Sequence, residues 1–110
     1  KISGYVITTE CGIAYWSELT TIEETKNVFL NGKYAKSALA LAQISQLLPY
    51  YDSNVDWRNA KYKYCISREY NKILINKWSS NYDVLAFNSR EEAERFLKYN
   101  EQLVKDYFML

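Results

Sequence analysis

The chain has 110 residues, of which 48% are hydrophobic and 25% charged, the balance of an ordinary globular domain with a modest core. Its 14 basic and 13 acidic residues leave a net charge of +1, which excludes a global electrostatic attraction to nucleic acid or to anionic membranes. It contains no histidine, which excludes Ser-His-Asp and Cys-His catalytic arrangements and histidine metal sites.

The first half of the chain has the hydrophobic pattern of three short strands followed by a long helix. The predicted elements are strands at 4–9, 13–16 and 27–30 and a helix at 32–48. Gly12 suits a tight turn in the first hairpin. Asn31 is a good N-cap for the helix, and Pro49 ends it. Apolar residues cover more than one stripe of this helix, so we expect it to be largely buried.

The second half of the chain shows the same order of elements. Its predicted elements are strands at 62–67, 73–78 and 82–87 and a helix at 89–108. Residues 69–72 form the hairpin connection, and Ser89 caps the helix with Glu92 as a capping-box partner. Residues 49–61, which include the turn-forming run Asp52-Ser53-Asn54, look like a joint between the two halves.

The two halves also resemble each other residue by residue. The segment from Tyr5 to Glu10 is echoed by the segment from Tyr64 to Glu69. Further matches are Phe29, Asn31, Ala35 and Leu39 with Phe87, Ser89, Ala93 and Leu97. The sequence therefore predicts one α+β domain over residues 1–110, built from two tandem β-β-β-α units at 4–48 and 62–108. We expect a mainly antiparallel, continuous sheet of about six strands packed by two long helices.

Several segments resemble one family of small proteins. They are Asn27 to Phe29, Ala35 to Leu47, Asp56-Trp57, Lys63 to Ile66, and Leu85 to Tyr107. The order of these segments resembles an uncharacterised family from gut Bacteroides and related bacteria, whose members often occur in phage, prophage and mobile-element neighbourhoods. The resemblance covers roughly residues 27–110. It brings no known activity, and it implies a bacterial or phage-borne protein that is cytoplasmic or virion-associated.

The sequence offers little catalytic chemistry. With three glycines it has no glycine-rich phosphate loop, and it has no close-spaced metal ligands, so we expect no cofactor, no metal and no small-molecule ligand. Glu10 and Glu69 are equivalent in the repeat and are the sharpest candidate pair for acid–base chemistry, although both also read as solvated turn residues. Cys11 and Cys65 are either idle thiols or parts of a shared site at the joint. We predict that the chain is not an enzyme.

Aromatic residues are abundant, with 11 Tyr, 4 Phe and 3 Trp. The candidate binding residues are Trp57, Arg58, Lys61, Tyr62, Lys63 and Tyr64. Their basic side chains could neutralise phosphates while the rings stack on bases, and Arg68, Lys72 and Lys77 would extend the patch. The alternative interpretation is a sheet with solvated lysines on one face and packed tyrosines on the other, and a Trp57 that fills a gap in the core.

Two functions follow from these patterns. The first is a non-catalytic interaction module of phage or mobile-element origin that binds a protein partner, or a second copy as a homodimer, through aromatic surface. The alternative is a nucleic-acid-binding accessory protein that uses the patch at 57–64. A membrane role is not expected, because no apolar run is long enough to span a bilayer and no signal-peptide pattern opens the chain.

Overall fold

A computed structural model describes residues 2–8, 10–19, 28–78 and 83–110. Within these ranges the chain forms five strands and three α-helices, which confirms the predicted α+β class. The strands are β1 (Ile2–Ile7), β2 (Ile13–Leu19), β3 (Lys63–Glu69), β4 (Lys72–Trp78) and β5 (Ala86–Phe87). The helices are α1 (Gly32–Leu47), α2 (Arg90–Tyr99) and α3 (Glu101–Tyr107).

The described strands form two separate antiparallel sheets, so the expectation of one continuous sheet is wrong. The first sheet pairs β1 with β2, and the second has the order β4-β3-β5. The predicted strand at 27–30 contributes an isolated bridge between Phe29 and Tyr5, and residue 27 lies outside the described ranges. Both third strands are short because helix caps follow at Asn31 and Ser89 and lead the chain out of each sheet.

The polar helix caps are confirmed. The Asn31 side chain accepts a hydrogen bond from the Tyr34 N–H at 3.0 Å, and the Ser89 hydroxyl oxygen accepts one from the Glu92 N–H at 3.2 Å. The predicted capping box is different in detail. The Glu92 carboxylate accepts a hydrogen bond from the Asp52 N–H at 3.0 Å, which ties the joint to the helix.

The second long helix is interrupted at Asn100, where the sequence predicts one helix over 89–108. Asn100 has φ −133° and ψ 31°, outside the helical region. Its side-chain amide donates to the Phe96 carbonyl at 3.1 Å and to the Tyr51 hydroxyl at 3.2 Å. A short amide side chain that competes for backbone partners favours a break at this position.

The main core lies between the second sheet and the helices. Its buried residues are Ile44, Ile66, Leu85, Phe87, Ala93, Phe96 and Val104. Ile44 comes from the end of α1, so this helix reaches from the first sheet into the core of the second. The buried residues of α1 are Ala35, Ala40 and Ile44, so this helix is less buried than we expected.

The chain is elongated, with extents of 49 × 26 × 26 Å and a radius of gyration of 16.2 Å, against about 13 Å for a compact domain of this length.

The first sheet packs on the beginning of α1. A Cβ atom at Gly32 would lie 3.6 Å from the Tyr5 ring, so helix and strand are in close contact there. A Cβ atom at Gly4 would lie 2.6 Å from the Phe29 carbonyl oxygen, so the bridge between these backbones requires glycine. Across the described ranges, no helix is both long enough and apolar enough to cross a bilayer.

Candidate functional site

The predicted patch at residues 57–64 contains both exposed and buried side chains. Arg58 is exposed and forms an ion pair with Asp56, with 3.0 Å between Nε and Oδ1. Lys61 is exposed, and 58% of the Tyr62 surface is accessible. Trp57 is half-buried. Arg58, Lys61 and Tyr62 are therefore the exposed members of the patch among these four residues.

Lys63 is buried, with 2% of its surface accessible. Its ammonium donates hydrogen bonds to the Asn59 carbonyl at 2.9 Å and to the Asn59 side-chain oxygen at 3.2 Å. It also lies 5.4 Å from the centre of the Trp57 ring. Residues of the joint therefore accept the hydrogen bonds of this buried ammonium, and it cannot reach a phosphate.

Two other cations lie over the predicted tyrosines. The Lys77 ammonium is 4.6 Å from the centre of the Tyr62 ring, and the Arg90 guanidinium is 5.5 Å from that of Tyr64. Tyr64 is the cross-strand neighbour of Lys77, so the two stacks are adjacent. We call Tyr62, Tyr64, Lys77 and Arg90 the basic–aromatic cluster.

Part of the basic–aromatic cluster could be found from the sequence. A two-residue turn at 70–71 fixes residue 77 opposite residue 64, and both strands were predicted. Arg90 was missed because its position depends on the pairing of β5 with β3, which brings the beginning of α2 to Tyr64. A short strand of two residues leaves almost no periodic signal in the sequence.

The outer edge of β4 has free backbone groups. The turn between β3 and β4 makes Glu69 and Lys72 a hydrogen-bonded pair, so every second residue from Lys72 onward bonds to β3. The N–H and C=O groups of the alternate residues Ile73, Ile75 and Lys77 therefore point away from β3. Ile66, the β3 residue opposite Ile75, agrees with this alternation. Its N–H points away from β4 and donates a hydrogen bond to the Leu85 carbonyl at 2.9 Å. No backbone partner for the three outward residues occurs in the described part of the chain.

A groove of about 840 Å³ lies beside this edge, between β4 and the faces of α2 and α3. Its apolar lining comes from Ile73, Leu74, Ile75, Leu97 and Leu110, and its polar lining includes Lys72, Lys98 and Glu101. Ile73, Ile75 and Leu97 also contact the main core, so their positions are fixed by packing. The groove follows residues 71–75, and the basic–aromatic cluster lies beyond its end, toward Trp78.

The candidate catalytic groups are not assembled into a site. Glu10 and Glu69 are both exposed, at hairpins of different sheets. Cys11 and Cys65 are free thiols, the first exposed and the second buried in the central strand of the second sheet. Within the described ranges, no group of three or more His, Cys, Asp or Glu side chains is placed to hold a metal ion.

Burial perturbs two ionisable groups on the second sheet. Burial, followed by the charge of Asp83, raises the pKa of the Cys65 thiol to about 11, so it is protonated and unreactive at neutral pH. Burial also raises the pKa of Asp83, although hydrogen bonds from the Leu85 and Val84 N–H groups oppose the shift. Both effects follow from desolvation, and neither group faces the groove beside β4.

Comparison with known proteins assigns no relative to this chain. It matches no protein-family model, no curated protein and no solved structure.

Proposed function

We propose that this chain is a non-catalytic interaction module that binds an extended segment of a protein partner as an added strand on β4. The single observation that carries the proposal is the open edge of β4, where the backbone groups of Ile73, Ile75 and Lys77 point away from β3 beside the groove. An edge strand of this kind can form a ladder of main-chain hydrogen bonds with a ligand.

The surroundings of β4 support strand addition over non-specific edge pairing. A bare edge strand accepts any extended chain, whereas a strand beside a helix-walled groove also selects the side chains of its ligand. Exposed aromatic residues lie at the far end of β4, where Tyr62 is 58% and Trp78 is 40% accessible. Tyr and Trp are frequent anchors of binding surfaces, which agrees with the function proposed from composition.

We also propose that the chain is a single domain of two copies of one β-β-β-α unit. In the first unit Tyr5 forms a bridge with Phe29, and in the second unit Tyr64 pairs with Phe87. The two pairs occupy equivalent positions of the proposed repeat. The side chains of Asn31 and Ser89 cap the following helices by the same hydrogen bond to the third helical N–H. Four residues beyond each cap, Ala35 and Ala93 are fully buried. These parallels favour a shared local plan, although the copies form separate sheets.

The nucleic-acid alternative depends on cations that remain accessible. Lys63 is buried, so the alternative rests on Lys61, on the exposed Arg58 that pairs with Asp56, and on the basic–aromatic cluster. If it holds, binding of single-stranded DNA will fall steeply with salt, because the contacts would be to phosphates. The absence of binding at low salt would remove this alternative. The phage or mobile-element origin remains a prediction from the family resemblance.

The proposed function can be tested at a single backbone N–H. Lys77→Pro removes one outward N–H from β4, and Lys77→Ala removes the same side chain but keeps that N–H. Ten-residue peptides selected from a random displayed library on the wild-type protein would serve as probes. We expect them to bind Lys77→Pro about 3- to 10-fold more weakly than Lys77→Ala, the effect of one lost hydrogen bond. Both variants should unfold at similar temperatures, because this N–H has no partner within the described chain.

Equal binding by the two variants would contradict strand addition, and so would a selection that returns no peptide. Leu74→Pro is the matched positive control for damage to the fold. Leu74 lies on the alternate set of residues that bond to β3, so proline there should lower the unfolding temperature.

A further inference from the structure

We infer that the partner segment recognised by β4 carries, read in the direction from Ile73 to Lys77, two apolar side chains two residues apart and then, two residues further, a carboxylate that faces Lys77. This inference rests on the proposed strand addition and names the chemistry of its ligand. It follows from the order of side chains along one face of β4, from the charge at the end of that face and from the sequence of β4 itself.

The apolar positions follow from the alternation of side chains in a strand. Ile73 and Ile75 point toward the helices, since both pack against the main core. In an added strand, the residues opposite them point to the same side and enter the groove beside Leu97. These two ligand positions are therefore buried on binding beside Ile73, Ile75 and Leu97, where apolar side chains gain most from leaving water.

The acidic position follows from the next residue on the same face. Lys77 is two residues beyond Ile75, so its side chain also lies on the helix side, where it covers the Tyr62 ring. Arg90 lies nearby over Tyr64, the cross-strand neighbour of Lys77. The ion pairs between described residues include neither Lys77 nor Arg90, so neither cation has a carboxylate partner in that part of the chain. A carboxylate opposite Lys77 would complete a charge pair across the strands.

The same arrangement disfavours a second copy of this chain as the occupant. If β4 paired antiparallel with itself about Ile75, Lys77 would lie opposite Ile73 of the second copy, and the cation would face an apolar residue. That Lys side chain would also occupy the apolar part of the groove. A segment with the order apolar, apolar, acidic matches β4, and β4 itself does not have this order.

The experiment uses three acetylated and amidated peptides on the full chain. In each peptide Thr and Val alternate, so that two Val residues lie two apart on one face. The next residue on that face, on both sides of the Val pair, is Asp in the first peptide, Asn in the second and Lys in the third, so one of them faces Lys77 whichever way the peptide runs. We expect the wild-type protein to bind the Asp peptide about 3- to 10-fold more tightly than the Lys peptide, with the Asn peptide between them. The difference should shrink in high salt, since the cations are near the surface.

Charge reversal at two positions of β4 locates the effect. Lys77→Glu should invert the order of the Asp and Lys peptides. Lys72→Glu is the control for position, because it makes the same change of net charge at the opposite end of β4, where Lys72 lines the groove, and it should preserve the wild-type order. Similar unfolding temperatures for both variants would show that the fold is intact.

The outcomes separate this inference from the proposed function. Equal binding of all three peptides to the wild-type protein would overturn the acidic position and leave strand addition intact. Inversion by Lys72→Glu instead of Lys77→Glu would overturn the placement at Lys77. If none of the three peptides binds while library peptides do and distinguish Lys77→Pro from Lys77→Ala, the inferred ligand order is wrong and the proposed function stands. If no peptide of either kind binds, both are wrong.

Discussion

The two sheets of this protein have a similar arrangement around one tyrosine of each, but their described side chains differ in burial. In each, a central tyrosine pairs with a phenylalanine that is followed by a polar helix cap and a buried alanine. The second sheet contributes Ile66, Leu85 and Phe87 to the main core. Among the described side chains of the first sheet, the buried hydrophobic one is Val6, with 7% of its surface accessible. Among the described residues, the main core and the candidate site therefore lie with the second sheet.

The difference arises from the helices that cover each sheet. The second sheet is packed by α2 and α3 and by the end of α1, whereas the first contacts α1 near its beginning. A groove beside a strand edge needs a wall, and α2 with α3 provides one along β4. The binding edge that we propose is therefore a consequence of the additional helices, rather than of the strands alone.

The largest expected effect is the loss of a core side chain from the second half. Phe96→Ala should lower the free energy of unfolding by about 3–5 kcal/mol, because Phe96 is fully buried among other core residues. Val6→Ala, in the first sheet, should cost about 1–2 kcal/mol, because it removes a smaller apolar volume. Urea denaturation followed by circular dichroism would measure both changes. Equal effects would contradict the unequal burial of the two sheets.

A matched pair of cap substitutions tests what the halves share. Asn31→Ala and Ser89→Ala each remove one side-chain acceptor from a helix N-terminus, so each should cost about 1 kcal/mol. Ser89→Thr keeps a capping hydroxyl and should cost less. Thermal and urea unfolding of the variants would compare them. A neutral Asn31→Ala would show that the two helix starts are not energetically equivalent.

The smallest expected effect concerns a charge on the second sheet. Burial raises the pKa of Asp83 in the folded state, so ionising this carboxyl costs more free energy in the folded chain than in the unfolded chain. The protein therefore loses stability as the pH rises from the ordinary pKa of an aspartate through the raised pKa of Asp83. Asp83→Asn retains an oxygen that can accept the hydrogen bond from the Leu85 N–H. It should therefore stabilise the protein at pH 7 by less than about 1 kcal/mol and have little effect at pH 3, where the wild-type carboxyl is protonated.

Unfolding measured across this pH range would check the Asp83 prediction. Glu10→Gln is the control, since Glu10 is exposed on the first hairpin. A stabilisation by Asp83→Asn that is the same at pH 3 and pH 7 would contradict the assigned cause, because it could not come from the carboxylate charge.

The sequence predicted those elements whose signals are local. The helix over Gly32–Leu47, its cap at Asn31 and its end before Pro49 follow from helix propensity, capping and proline sterics. The β3–β4 hairpin follows from alternating apolar residues and a turn. The break at Asn100 was missed because it involves the Tyr51 hydroxyl, which is distant along the chain. The predicted turn and strand start at 79–82 lie outside the described residues.

The candidate site was predictable only in part, because it depends on contacts between elements. Tyr62 and Tyr64 were predicted to lie in a patch with Lys61 and Lys63, whereas the cations over their rings are Lys77 and Arg90. Alternation along a strand predicts which face Lys63 occupies, but it cannot predict that the joint covers that face and buries the lysine. The open edge of β4 is a property of sheet order, which no local pattern encodes.

The most direct test of the open edge is amide hydrogen exchange at single residues of β4, measured by NMR with and without the Asp peptide or, if that peptide does not bind, a peptide selected from the library. We predict that the ligand slows exchange at Ile73, Ile75 and Lys77, and that Leu74 and Asn76, already bonded to β3, change little. If the ligand binds while exchange at the three outward amides is unchanged, the partner does not add a strand to β4 and the account is wrong.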